Sequence, residues 1–157
     1  MMSNNQPRDG ALRIPGGRPR KHGVVAVVQR EQRLLVIRRS QFVSAPGRLC
    51  FPGGAIELGE SEPVALAREL QEELAVAIEP RQRLWHSLTP WNVALAWWSA
   101  AMSPDAQLIP NPHEVAEVHW LTITQLRESP DLLESNHDFL DAWERREFVI
   151  GESECEL

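Results

Sequence analysis

The sequence predicts an α/β (α+β) sandwich, and three observations carry that prediction. A near-continuous β-branched run opens the ordered region at GVVAVVQ (23–29) and is followed closely by a second apolar segment, LLVIRRS (34–40). A block of strong helix formers occupies 62–74, and further extended patterns at 83–89, 92–101 and 115–121 alternate with short helical ones. Strands with interspersed helices bury their apolar faces only by packing in layers.

Each element has a local reason. The 23–29 run suits a strand covered on both faces. The polar REQR (30–33) should turn the chain into the second strand. Around Pro46-Gly47 the segment SAPGRLCFPGG (44–54) is loop-like; it is briefly extended at Leu49–Phe51 and loop-like again at Pro52–Gly54. The 62–74 helix has Ser61 as cap and Pro63 in its first turn, and Val64, Ala67, Leu70 and Leu74 form an apolar stripe. Thr122 and Gln125 match a capping box opening a short helix. Asn136 can cap a last helix whose Phe139, Leu140 and Trp143 share one face.

A chain of 157 residues with 43% hydrophobic and 24% charged content fits one domain with room for a core, and no repeat or linker divides it. The domain is read as 22–148, after a basic leader over 1–21 expected to be disordered and before an acidic, fraying tail over 149–157. Residues 1–22 carry a local charge of +4, against −10 for the remainder. The net charge of −6 argues against a nucleic-acid backbone as a standing partner. The leader lacks the apolar segment of a secretory signal, and the run at 93–102 is too short to span a bilayer. No membrane partner is expected. Cys50 and Cys155 form no spaced framework, so a reduced, cytoplasmic setting is the expectation. The oligomeric state, a homodimer included, is left open.

The chemistry lies in GAIELGESEPVALARELQEELAV (54–76). Glu69, Glu72 and Glu73 stand at i, i+3 and i+4, so three carboxylates crowd one edge of the helix and repel unless a cation sits among them. All-oxygen donors suit Mg²⁺, or Mn²⁺, rather than zinc. His86, His113 and His119 show no zinc spacing. Arg68 can reach Glu72 at i+4 or pin another carboxylate. Phe51-Pro52-Gly53-Gly54 places two glycines where the backbone bends sharply or comes close to something. Arg38, Arg39 and Arg48 flank this stretch and could bind phosphate. Trp91, Trp97 and Trp98 lie on or beside strands where a base could stack, while Trp85, Trp97, Trp120 and Trp143 are equally suited to the core.

Glycine at 54, Glu60 six positions on, Arg68-Glu69 eight positions later, Leu70 and then Glu72-Glu73 resemble the Nudix family box. Six such identities coincide by chance on the order of once in ten million start positions. The resemblance implies an α/β/α sandwich with a mixed central sheet. It also implies a divalent-metal-dependent pyrophosphohydrolase acting on a nucleoside diphosphate linked to another group, or on a nucleoside triphosphate, by in-line attack of an activated water. It assigns Glu72, Glu73 and the Gly53 carbonyl to the metal, Glu69 to the metal or the attacking water, and Glu60 to a supporting or second-metal role. A further carboxylate from a later loop is expected, Glu114 first and Glu117 second. Ala75 stands where the family has Gly, which touches the helix cap and no ligand; an αL alanine there costs about 1 kcal/mol. The competing reading is a non-catalytic nucleotide-binding or sensor domain of the same fold. Substrate identity is not legible: the chain has no tyrosine, and Pro90 only approximates the spacing of one subfamily.

Overall fold

A computed structural model describes residues 21–151. The expected leader up to residue 20, Cys155 and the end of the acidic tail lie outside the described residues. Eight strands and three helices follow in order: β1 (Lys21–Val27), β2 (Gln29–Arg30), β3 (Arg33–Arg39), β4 (Leu49–Cys50), β5 (Gly53–Ala55), α1 (Glu62–Leu74), β6 (Glu79–Leu88), β7 (Val93–Ala101), β8 (Val115–Leu121), α2 (Ile123–Glu128) and α3 (Glu134–Glu144). Among the described residues no helix is long and apolar enough to cross a membrane.

The strands form two sheets, and the first of them is mixed, as expected. One has the order β5-β1-β7-β6, with β1 and β7 parallel and the other pairs antiparallel. In the other, β3 pairs antiparallel with β2, β4 and β8. The two sheets share one run of chain: β1 continues through Val28, whose carbonyl accepts from Leu35 N–H at 3.0 Å, into β2. The turn into β3 is made at Glu31 and Gln32, with φ of 50° and 64°, the positive pair that a two-residue hairpin requires.

Both faces of this strand system are covered, as the β-branched run predicts. Along β1 and beyond, Val24, Ala26 and Val28 enter one buried cluster with Leu66, Leu70 and Leu74 of α1. Val25 and Val27 enter a second cluster with Leu126, Phe139 and Leu140 of α2 and α3. β3 divides the same way, Leu35 and Ile37 against Leu34 and Val36. Helices therefore lie on both sides of the strands, which is the sandwich.

Several local expectations are corrected. Gly53 and Gly54 are not in a loop but in β5, paired with Val25 and Val24. The buried face of α1 comprises Ala65, Leu66, Glu69, Leu70, Glu73 and Leu74, while Val64 is exposed and Ala67 half-buried, because the helix turns two carboxylates inward. Asn136 does not cap α3; Leu133 holds that position without a side-chain bond, and the Asn136 Oδ1 accepts from Phe51 N–H at 2.9 Å instead. Phe148, the last residue of the expected domain, is buried and stacks on Phe139 at 4.9 Å. β1 starts at Lys21, inside the expected leader, and β6 starts four residues early, through Pro80, which its place at the sheet edge tolerates. The Thr122–Gln125 capping box forms as expected. Trp97 and Trp85 are core; Trp120 and Trp143 are half-buried.

Candidate active site

Helix α1 begins where Ser61 Oγ accepts from Val64 N–H at 3.3 Å. It ends at Ala75, which adopts the left-handed conformation (φ 51°, ψ 40°) and donates its N–H to Gln71 O. An alanine thus holds the position where glycine was expected, and the helix ends in the same way. Between these caps the three glutamates separate into two kinds. Glu69 and Glu73 are 9% and 6% exposed, whereas Glu72 reaches solvent. Burial of a carboxylate is costly, so what surrounds the pair matters.

On one side stands β5. Gly53 N–H donates to Glu73 Oε1 at 3.0 Å. A Cβ on Gly54 would lie 2.3 Å from Glu69 Cδ, and one on Gly53 would lie 2.1 Å from Val24 O. Both glycines are therefore close approaches of the backbone, one to a carboxylate and one to β1, and no other residue fits without displacing them.

On a second side stands Arg68. It forms a fork with Glu60, Nε to Oε2 and Nη2 to Oε1, both at 2.8 Å. Its Nη1 reaches Glu69 Oε1 and Glu72 Oε2, each at 3.1 Å, and its Nη2 donates to Ala55 O at 2.9 Å. The guanidinium and the Glu57 N–H hold Glu60 well below the usual carboxylate range. Both sequence-level options for Arg68 are realised at once.

The third side is the turn before β8. Glu114 is half-buried, and its Oε2 is fully buried without a hydrogen-bond partner. Its charge acts on both Glu69 and Glu73. Asn111 joins this turn to the helix, donating its N–H to Glu73 O at 2.8 Å. Burial first, then the neighbouring Glu69 charge, raises the Glu73 carboxyl to about 8, and Glu69 is raised by burial against the pull of Arg68. Arg39 stands near enough to Glu73 to oppose its shift; it donates Nε to Ser44 O at 2.6 Å and Nη2 to Ser44 Oγ at 3.0 Å.

Among the described residues no group of three or more acidic, His or Cys side chains is drawn together as a metal cage, and Arg68 supplies the counter-charge to Glu60, Glu69 and Glu72. The donors nonetheless suit a hard divalent cation. They are all oxygen, two are buried and raised, and one oxygen of Glu114 lacks any partner.

The other candidates are dispersed. Arg38 follows Val36 on the opposite face of β3 from Arg39, bound to Glu117 at 2.7 Å, to Asp131 at 3.2 Å and to Gly47 O at 2.8 Å. Glu117 is thereby engaged away from the carboxylate cluster. Arg38 pairs with Glu117 but Arg39 with Val115, so Ala116 is extra and side-chain alternation breaks there: Val115 is buried while Glu117 faces Arg38. Arg48 is exposed, within 3.5 Å of Pro130 O. Trp91 is 65% exposed at the β6–β7 turn, at the same end of the sheet as the close of β5 but toward its opposite edge. Trp98, half-buried, donates Nε1 to Glu62 at 2.9 Å. The sequence reading missed Ser40 and Asn111, which fasten the Glu114 turn; the only signal was the Asn-Pro pair at 111–112.

Comparison with known proteins agrees with this geometry. An NAD-capped RNA hydrolase (NudC) of Stutzerimonas stutzeri is 31% identical over 107 residues, 68% of this chain and 38% of that protein. A human m7GpppN-mRNA hydrolase is 29% identical over 139 residues, covering 74% of this chain and 42% of that protein. An 8-oxo-dGTP diphosphatase of Escherichia coli is 32% identical over 80 residues, 47% of this chain and 60% of that protein. The chain thus spans about two-fifths of the length of the first two. A MutT protein structure from Methanosarcina mazei superposes with a TM-score of 0.73 at 23% identity, over 83% of this chain and 96% of that one, and shares the fold. The NUDIX domain model matches residues 17–143, and the chain belongs to that family.

Proposed function

We propose that this chain is a divalent-metal-dependent hydrolase of a pyrophosphate bond in a nucleoside diphosphate linked to another group, or in a nucleoside triphosphate. One observation carries the reading. Two buried carboxylates, Glu69 and Glu73, lie against the glycine backbone of β5 and within reach of the charge of Glu114, whose Oε2 is buried without a partner, an arrangement that is costly as pure structure.

Glu69, Glu72, Glu73 and Glu114 would hold Mg²⁺ or Mn²⁺, with Gly53 and Glu60 as further donors. The bound ion would neutralise the carboxylates and polarise a phosphate oxygen. Glu69, fixed between Arg68 and the Gly54 backbone, is suited to orient the attacking water. Arg39, tied to Ser44 near Glu73, is suited to meet a phosphate. Arg68 holds Glu60, Glu69 and Glu72 in register. The relatives' names concern a nucleotide, either as an RNA cap or as a free deoxynucleotide derivative, and a chain of net charge −6 favours the small form over an RNA backbone.

The test is a panel of a dinucleotide, a nucleotide sugar, a nucleoside triphosphate and a capped RNA oligomer, each with Mg²⁺. Product is expected from at least one small nucleotide, with a loss of about 10³-fold or more in Glu72→Gln and Glu73→Gln. Full rate in both variants would show the assignment to be wrong. Absence of turnover with a nucleotide-dependent rise in Tm would favour the binding-domain reading.

A further inference from the structure

We propose that Ser40 is a positioning residue that holds the Glu114 carboxylate against Glu69 and Glu73; this rests on reading the cluster as a divalent-metal site. Ser40 directly follows β3 and is 3% exposed. Its Oγ donates to His113 O at 2.6 Å and accepts from Phe42 N–H at 3.2 Å, and its own N–H donates to Glu114 O at 3.1 Å. From the other side, Asn111 O accepts from Glu114 N–H at 2.9 Å and from Val115 N–H at 2.8 Å.

The two peptide groups flanking the Glu114 α-carbon therefore have all four polar atoms engaged. Ser40 takes both carbonyls and Asn111 both N–H groups. Two residues from outside β8 thus set the φ and ψ of Glu114. The carboxylate itself has nothing comparable, since its Oε2 is buried with no hydrogen-bond partner. A buried charged oxygen left unpaired would swing toward solvent if its backbone could yield. Its direction is imposed from the main chain, beside a bulge that already re-aims side chains in β8. Of the four bonds, that from the Ser40 hydroxyl is the only one a side-chain substitution removes without touching Glu114 or the helix.

The experiment measures Mn²⁺ affinity, by the free-ion paramagnetic signal, and steady-state hydrolysis for the full chain, Ser40→Ala, Ser40→Thr, Glu114→Gln and the Ser40→Ala/Glu114→Gln double variant. Ser40→Ala is expected to weaken Mn²⁺ binding about 10-fold and to lower kcat by a similar factor with KM for the nucleotide unchanged. Ser40→Thr, which keeps the hydroxyl, should restore affinity to within about threefold of the parent. In the Glu114→Gln background Ser40→Ala should change neither quantity further, although it lowers Tm in both. Parental affinity in Ser40→Ala, or an equal loss in both backgrounds, overturns the proposal. A parent that binds Mn²⁺ but hydrolyses no nucleotide overturns the hydrolase reading alone and leaves Ser40 to be judged on affinity. A parent that binds no Mn²⁺ overturns both.

Discussion

The two faces of the strand system are built from different materials. Toward α2 and α3 the core is aromatic: Phe139 stacks on Trp97 at 4.6 Å and on Phe148 at 4.9 Å, with Phe51 and Trp85 edge-on at 5.6 and 6.2 Å. Toward α1 the core is aliphatic and small, with Ala65, Leu66, Leu70, Ala96 and Ala100, and it borders two buried carboxylates. The aromatic face buries few polar groups: Trp97 Nε1 donates to Ser87 Oγ at 2.9 Å and Asn136 Oδ1 accepts from Phe51 N–H at 2.9 Å, while Trp85 Nε1 has no hydrogen-bond partner among the described residues. The α1 face keeps charge out of water with one glutamate oxygen unpartnered. One face supplies stability, and the other carries a destabilising arrangement that its neighbour must offset.

That contrast can be broken from the aromatic side first. Phe139→Ala should cost about 3–5 kcal/mol, a fall in Tm of roughly 10 °C, by opening a cavity among five other rings. Hydrolysis per folded molecule should remain near the parental rate below the new transition. A selective loss of activity at full stability would show that the two faces are not separable.

The α1 face should respond with the opposite sign. In chelator at pH 7, Glu73→Gln is expected to raise stability by about 1–2 kcal/mol, since it removes a carboxyl that ionises freely in the unfolded chain but is held protonated up to about 8 by burial beside Glu69 and Glu114, and it keeps an acceptor for Gly53 N–H. Saturating Mg²⁺ should then stabilise the parent and not the variant. Equal Tm values with and without metal would remove the basis for calling the buried pair functional.

A smaller gain is expected at the end of the same helix. Ala75 is exposed and left-handed, so Ala75→Gly should stabilise by about 1 kcal/mol, read as a shift in denaturant midpoint without change in slope.

The smallest effect concerns Cys50, between the two regions. Burial pushes its thiol up to about 11, against the pull of Arg39. A thiol raised on folding contributes its full stability below the unfolded pKa near 9 and loses it as pH climbs toward 11. At pH 8 stability should therefore be flat, and in a Cys155→Ser background Cys50 should react with a disulfide reagent only after denaturant is added. Stoichiometric reaction in the folded protein would show that this part of the core opens readily.

Much of this was legible from residue order. The carboxylate spacing, the caps at Ser61 and Thr122 and the twice-covered first strand are local features, dictated by helical and extended periodicity and by hydrogen bonds within a few residues. Other features were not. Arg38 and Arg39 look equivalent until the alternation of β3 places them on opposite faces. Asn136 has the chemistry of a cap, yet its oxygen is used by Phe51, 85 residues away.

The residues at 54–76, taken alone, carry the resemblance to the family and bring three carboxylates together, because i, i+3 and i+4 glutamates crowd together in any helix. Only the tertiary structure decided which of them are buried, since that depends on β5 passing close enough to exclude every side chain larger than hydrogen. Only it showed Glu117 bound to Arg38 and Glu114 beside Glu69 and Glu73, and brought Ser40 to the turn that holds Glu114. Such long-range relations are set by register and packing between distant segments, and short-range sequence patterns do not encode them.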